Sequence, residues 1–133
     1  MIDVFNQIYT ALYNAIKSSY STASITGEYV PKPESFPAVS IVEQDNYMSI
    51  NKLDNSGRER FATLMFQIDV YSDLAKGRKE QCRSILKIID NIMFDLNFTR
   101  IAASPMPNRD DESIYRITAR YRAETDGETM YRV

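Results

Sequence analysis

The chain has 133 residues, 44% of them hydrophobic and 26% charged, enough for one domain with a real core and too apolar for general disorder. Basic residues number 16 and acidic residues 18, for a net charge of −2, so no global positive field exists to hold phosphates and the simplest nucleic-acid reading falls. His is absent and Cys occurs once, which excludes a Ser-His-Asp triad, a Cys-His pair, a Cys/His zinc site and a disulfide framework within one chain. The lone thiol fits a reducing compartment. Met1-Ile2-Asp3-Val4 shows no basic region leading into an apolar run, and no stretch approaches the roughly 18 apolar residues of a membrane span. The expectation is a chain made in a cytoplasm and used there, or assembled there into something larger, with no membrane partner.

Residues 3–20 read as an amphipathic helix, with Phe5, Ile8, Tyr9, Leu12 and Ile16 at helical spacing. The run from Ser18 to Thr22 has poor helix propensity and ends it. Ile25 to Val30 suits a short strand stopped by Pro31 and Pro33, and a second strand runs from Ala38 to about Gln44 on β-branched Val39, Ile41 and Val42. Residues 45–57 are rich in Asp, Asn, Ser and Gly and read as a loop or a long, mobile hairpin tip, whose apolar Tyr47, Met48, Ile50 and Leu53 suit an extension of the hairpin arms. From Glu59 to Tyr71 the alternation is unbroken: Ala62, Leu64, Phe66, Ile68 and Val70 belong to a core face. The opposite face, with Phe61, Met65, Gln67, Asp69 and Tyr71, mixes polar with bulky groups, and suits either solvent or cover by another chain.

A second helix is predicted from Arg78 to Leu96 on the stripe Cys82, Ile85, Leu86, Ile89, Ile92, Met93 and Leu96. Phe98 to Ala103 reads as a strand, Ser104 to Ser113 as a loop, Ile114 to Glu124 as the last strand, and 125–133 as a flexible polar tail. The order α-β-β-β-α-β-β predicts an α+β single domain over 1–133, an antiparallel sheet of four to five strands with two helices on one face.

Little of the sequence carries chemistry. Asp110, Asp111 and Glu112 lack the spacing of a calcium loop and read as a solvated turn. Glu43 and Asp45 share a strand face by their spacing, but an acid-base pair needs an apolar site to split their pKa values, and nothing suggests one. The four glycines are isolated, which excludes the usual phosphate cradles. Cys82 lies in a helix stripe and reads as a buried, inert thiol. No catalytic, metal or cofactor residue is assigned, and the expectation is a non-enzyme without cofactors. Arg116, Arg120 and Arg122 line one face of the last strand. They suit pairing with acids on neighbouring strands, Asp69 among them, a grip on an acidic partner surface, or contact with phosphates. Nine tyrosines without a single Trp supply the amphipathic area that interfaces favour.

Several segments in order carry a resemblance: the opening helix; Phe36-Pro37-Ala38-Val39-Ser40-Ile41 with Glu43; Phe66 to Ser72 leading through Gly77 into Arg78-Lys79-Glu80; Leu96-Asn97-Phe98-Thr99-Arg100; and Ile114-Tyr115-Arg116 with Arg120-Tyr121-Arg122-Ala123. Across nearly its whole length the chain resembles the tail-completion proteins of long-tailed bacteriophages, the tail terminators and tail-to-head joining proteins, also described as minor capsid or head–tail connector components. The resemblance implies a structural virion subunit at the head–tail junction, assembled in the bacterial host cytoplasm into a ring, commonly six-fold. Its implied partners are further copies of itself, the tail tube protein and a head-side neck protein, with DNA passing through without sequence readout. Within that picture Asp110, Asp111 and Glu112 on one side and Arg116, Arg120 and Arg122 on another are candidate subunit interfaces. Tyr47, Met48, Ile50 and Leu53 are candidate contacts to an axial partner. The alternatives are another neck role, head completion or stopper, and, from a different class, a small cytosolic ligand-binding module.

Overall fold

The computed structural model describes residues 1–48, 61–107 and 111–132. Two helices and six strands follow in the order α1 (Phe5–Ser19), β1 (Ser24–Thr26), β2 (Ala38–Met48), β3 (Ala62–Ser72), α2 (Arg78–Asp95), β4 (Thr99–Met106), β5 (Tyr115–Thr125) and β6 (Met130–Tyr131). The strands form one sheet of order β1-β2-β3-β5-β4, with β6 beside the end of β5. All pairings are antiparallel except β1 with β2, which is parallel. The expected α+β architecture is the one observed. The sheet gains the short β6, and its first pair runs parallel.

Both helices lie over the same face of the sheet. On α1 the row Ile8, Leu12 and Ile16 is completely buried, because residues four apart stack on one side of a helix. No side chain caps the helix at Val4; Asp3 instead accepts a bond from the Phe5 N–H at 3.0 Å, satisfying one of the free donors of the first turn. On α2 the buried row is Cys82, Ile85, Ile89 and Met93. Both rows join Leu64, Phe66, Ile68 and Val70 of β3 and Ile117, Ala119, Tyr121 and Ala123 of β5 in one core. Phe66 sits at its centre, stacked on Phe5 with ring centroids 6.1 Å apart and edge-on to Phe98 at 5.6 Å.

The C-terminus of α2 closes by backbone bonds. Asn97 takes a left-handed conformation (φ 65°), its N–H bonds the Phe94 carbonyl at 2.9 Å, and the Phe98 N–H bonds the Met93 carbonyl at 2.8 Å. These two bonds satisfy the last carbonyls of the helix, and Phe98 continues into the core beside Met93. This closure aims β4 back along the sheet beside β5.

Strand bounds differ from the expectation at both long hairpins. β2 runs on to Met48, so Tyr47 and Met48 belong to a hairpin arm, paired with Thr63 and Ala62. The rest of the expected tip, Ile50 and Leu53 included, lies outside the described residues. β4 runs three residues past Ala103 to Met106, into the stretch expected as a loop. The segment read as a flexible tail carries β6, buries Met130 in the core and anchors Arg132 on the Phe94 carbonyl at 2.8 Å.

Candidate functional site

The face of the sheet turned away from the helices carries the charged residues that the sequence singles out. Cross-strand neighbours share a face, so the register writes this surface as rows. One row holds Ala38, Tyr71, Arg116 and Met106; the next Ser40, Asp69, Thr118 and Ser104; then Val42, Gln67, Arg120 and Ala102; then Asp45, Met65, Arg122 and Thr99. The three arginines do line one face, as the period of two in β5 requires.

Their surroundings differ. Arg116 is 14% exposed and pairs with a fully buried Asp69: Nε donates to Asp69 Oδ1 at 3.0 Å and Nη2 lies 3.0 Å from the same oxygen. The Thr118 hydroxyl also donates to Oδ1, and the Gln67 side-chain amide donates to Oδ2 at 3.2 Å. Burial opposes the Arg116 charge, yet Asp69 and the neighbouring tyrosines outweigh it and its pKa is raised. The guanidinium lies over the rings of Tyr29 (5.4 Å) and Tyr71 (5.7 Å). Arg116 is thus held inside the subunit by the acid named from the sequence. Arg120 is exposed, and its Nε donates to Gln67 Oε1 at 3.3 Å. Arg122 is half-buried, and its Nε has no hydrogen-bond partner.

The segment from Gly27 to Pro37 covers one end of this face, with Phe36 packing on Ala38, Tyr71 and Ile114. Burial raises the pKa of Tyr71, and its hydroxyl has no hydrogen-bond partner. A buried hydroxyl without a partner forfeits its hydration for nothing, so Tyr71→Phe is expected to raise stability by about 1 kcal/mol. The midpoint of a denaturant titration measures this; a destabilised variant contradicts it.

The remaining candidates spread over the molecule. Asp110 lies outside the described residues. Asp111 accepts from the Ser113 hydroxyl at 2.6 Å and the Ser113 N–H at 3.0 Å, bonds that lower its pKa, and it reaches Lys32 at 3.8 Å. Glu112 is exposed. The acidic turn sits at the Met106–Tyr115 end of the β4–β5 pair, whereas Tyr47 and Met48 are exposed at the far end of β2. The structure gathers the arginines on one face, with the acidic turn at the Arg116 end, where Glu112 lines a pocket with Met106 and Arg116, and with Tyr47 on β2 one row beyond Arg122.

Glu43 and Asp45 do not share a face. A bulge between them pairs Glu43 with Phe66 and Asp45 with Met65, consecutive residues of β3, so their side chains leave on opposite sides. Glu43 lies on the helix side beside Asn46, and burial raises its pKa. Among the described residues no cluster of three His, Cys, Asp or Glu could hold a metal ion, and no helix is long and apolar enough to cross a membrane.

Cys82 is fully buried, its Sγ 3.6 Å from the Val70 carbonyl oxygen and 3.7 Å from that of Tyr115. Burial pushes the thiol up to about 12. The native chain is expected to resist thiol reagents at neutral pH and to react only once unfolded. The folded chain keeps this proton at a pH where the unfolded chain has lost it. Stability therefore falls as pH rises above the ordinary thiol value toward about 12. Denaturant titrations of Cys82→Ala and the parent, at about pH 8 and about pH 11, should show the smaller alkaline loss in the variant.

With the fold and this surface in view, comparison with known proteins gives a likeness to solved structures. A chain of a solved structure described as "Virion of native gene transfer agent (GTA) particle" has the same fold. The TM-score is 0.65 at 16% identity, over 90% of this chain and 94% of that one. No protein-family model matches, and no curated protein does.

Three residues of the Asp69 network were not singled out by sequence reasoning: Gln67, Thr118 and Tyr29. For Gln67 and Thr118 a signal existed, since alternation already places them on the face of Asp69 and Arg116. For Tyr29 none did: it falls inside the strand expected over Ile25 to Val30, but β1 ends at Thr26 and Tyr29 reaches Arg116 from the segment beyond it.

Proposed function

We propose that this chain is a structural, non-enzymatic virion subunit that works at a phage-type head–tail junction as the tail terminator, a ring that caps the tail tube and joins it to the head. The observation that carries this reading is the shared fold with a chain of the gene transfer agent virion, nearly end to end in both chains. The resemblance to tail-completion proteins, which rests on separate segments spread along the sequence, points the same way. The chemistry agrees with a structural role. The thiol is buried, the two carboxylates nearest to an acid-base pair sit on opposite faces, and the strongest polar cluster is an internal ion pair. Further copies of the chain, a tail tube protein and a head-side neck protein are its partners in this reading.

Electron microscopy of particles formed when the gene is disrupted in its source element tests the proposal. Filled heads beside separate tails of irregular or excessive length are the expected result. Leaking heads with normal free tails would move the protein to another neck position. Normal infectious particles would overturn the reading.

A further inference from the structure

The sheet ends in two unlike edges. At the β1 edge a backbone acceptor is already engaged: the Tyr9 hydroxyl donates to the Ile25 carbonyl at 3.1 Å. At the other edge, β4 pairs among the described residues with β5 alone and is exposed from Arg100 through Met106, with Ile101 48% and Met106 44% exposed. An open edge is a template for another chain. The bulge at Ile101 and the missing N–H of Pro105 shorten the usable stretch, so the edge is selective rather than sticky.

Charge surrounds this edge. On its helix side runs a groove of 570 Å³ between α2 and β4, whose lining includes Arg83, Lys87, Asp90 and Arg100. Arg83 and Lys87 are exposed one turn apart, and no ion pair engages either among the described residues. Arg100 reaches Asp90 at 3.0 Å, an acid that also accepts from the Tyr121 hydroxyl. Arg120 stands beside Ala102 on the other face. Positive charge therefore exceeds negative around β4, although the whole chain carries −2. Two β4 edges brought together would set these cations against one another.

The segment that leaves β1 and crosses the outer face has the complementary character. Glu28 and Glu34 are exposed there, and Glu34 lines a 230 Å³ pocket with Ser24, Thr26, Val30 and Pro33. The one cation of this segment, Lys32, is drawn toward Asp111. We propose that the β4 edge of one copy docks on the 24–36 segment of the next, with Arg83, Lys87 and Arg100 facing Glu28 and Glu34. The two patches are different surfaces of one subunit, so the contact is head-to-tail and propagates, as a closed ring requires. The choice of a second copy as occupant rests on the ring reading above; the location of the contact rests on charge and edge exposure.

Cysteine cross-linking of the full chain tests the contact, because the native thiol is buried. Ala102→Cys and Ser35→Cys place one thiol on each patch. Under oxidation a mixture of the two single variants should give a disulfide dimer, and the double variant a ladder of oligomers. Arg83→Glu with Lys87→Glu should cut the yield at least tenfold, and Glu28→Lys with Glu34→Lys in the partner should restore it. Dimers of Ala102→Cys alone at the yield of the mixture would mean an edge-to-edge contact and overturn the proposal, as would no cross-link at the highest soluble concentration. A ladder from a chain whose disruption leaves particles normal would overturn the terminator role and keep the interface. Free tails on disruption with no ladder would do the reverse.

Discussion

Asp69→Ala is expected to lower the free energy of unfolding by about 3–5 kcal/mol, because it leaves the mostly buried Arg116 charge without its counterion. The loss is larger than that of an ordinary hydrogen bond because Asp69 joins donors from its own row and from the rows on either side. It accepts from Arg116, Thr118 and Gln67, and all three donors lose an acceptor together. A double-mutant cycle separates the pair from its desolvation cost. Asp69→Ala in an Arg116→Met background should cost much less than in the parent, since no buried charge is then stranded. Equal costs in the two backgrounds would show that Asp69 acts through its other donors. The cycle also bears on assembly: an arginine locked to Asp69 is not free to bind a neighbouring subunit, whereas Arg120 and Arg122 hold no ion pair among the described residues.

Phe66→Ala is the second large expectation, a loss of about 3–5 kcal/mol from a cavity at the centre of the core. Phe66 is fully buried on the middle strand, where α1 reaches it through Phe5 and the start of β4 through Phe98. These are two of the most separated parts of the chain, so the cavity cannot close by moving one element. Phe66→Leu should recover a large share of the loss by refilling volume while giving up both ring contacts. Denaturant titration with the slope compared across variants checks this; an unchanged slope with a lowered midpoint is the expected form.

The helices and the central strand were legible because their evidence is local. Ile8, Leu12 and Ile16 sit at helical spacing and are completely buried, and the alternation from Ala62 to Val70 chose the core face of β3 correctly. The extension of β4 was hidden because it reads Ser104-Pro105-Met106: a proline demotes a strand prediction, yet an edge strand tolerates one. β6 was hidden for a related reason, since two residues carry no period and only Met130 entering the core gives the segment a place.

The candidate surface divides along the same line. A period of two along β5 puts Arg116, Arg120 and Arg122 on one face whatever lies beside them, and this the sequence determined by itself. It also determined the α+β order, the place of Cys82 in the apolar stripe of a helix, and the exclusion of a Ser-His-Asp triad or a Cys-His pair within this chain. Only the tertiary structure decided which arginine is spent internally, because that depends on register: Asp69 stands across from Thr118 and next to Arg116's partner Tyr71. Only it decided that Glu43 and Asp45 part company, since one inserted residue in β2 reverses the alternation that the sequence pattern assumes. And only it decided which strand is left with an open edge. Strand order is set by which elements pack over which face, and the linear pattern of apolar residues is the same for a strand at the centre of a sheet and for one at its rim.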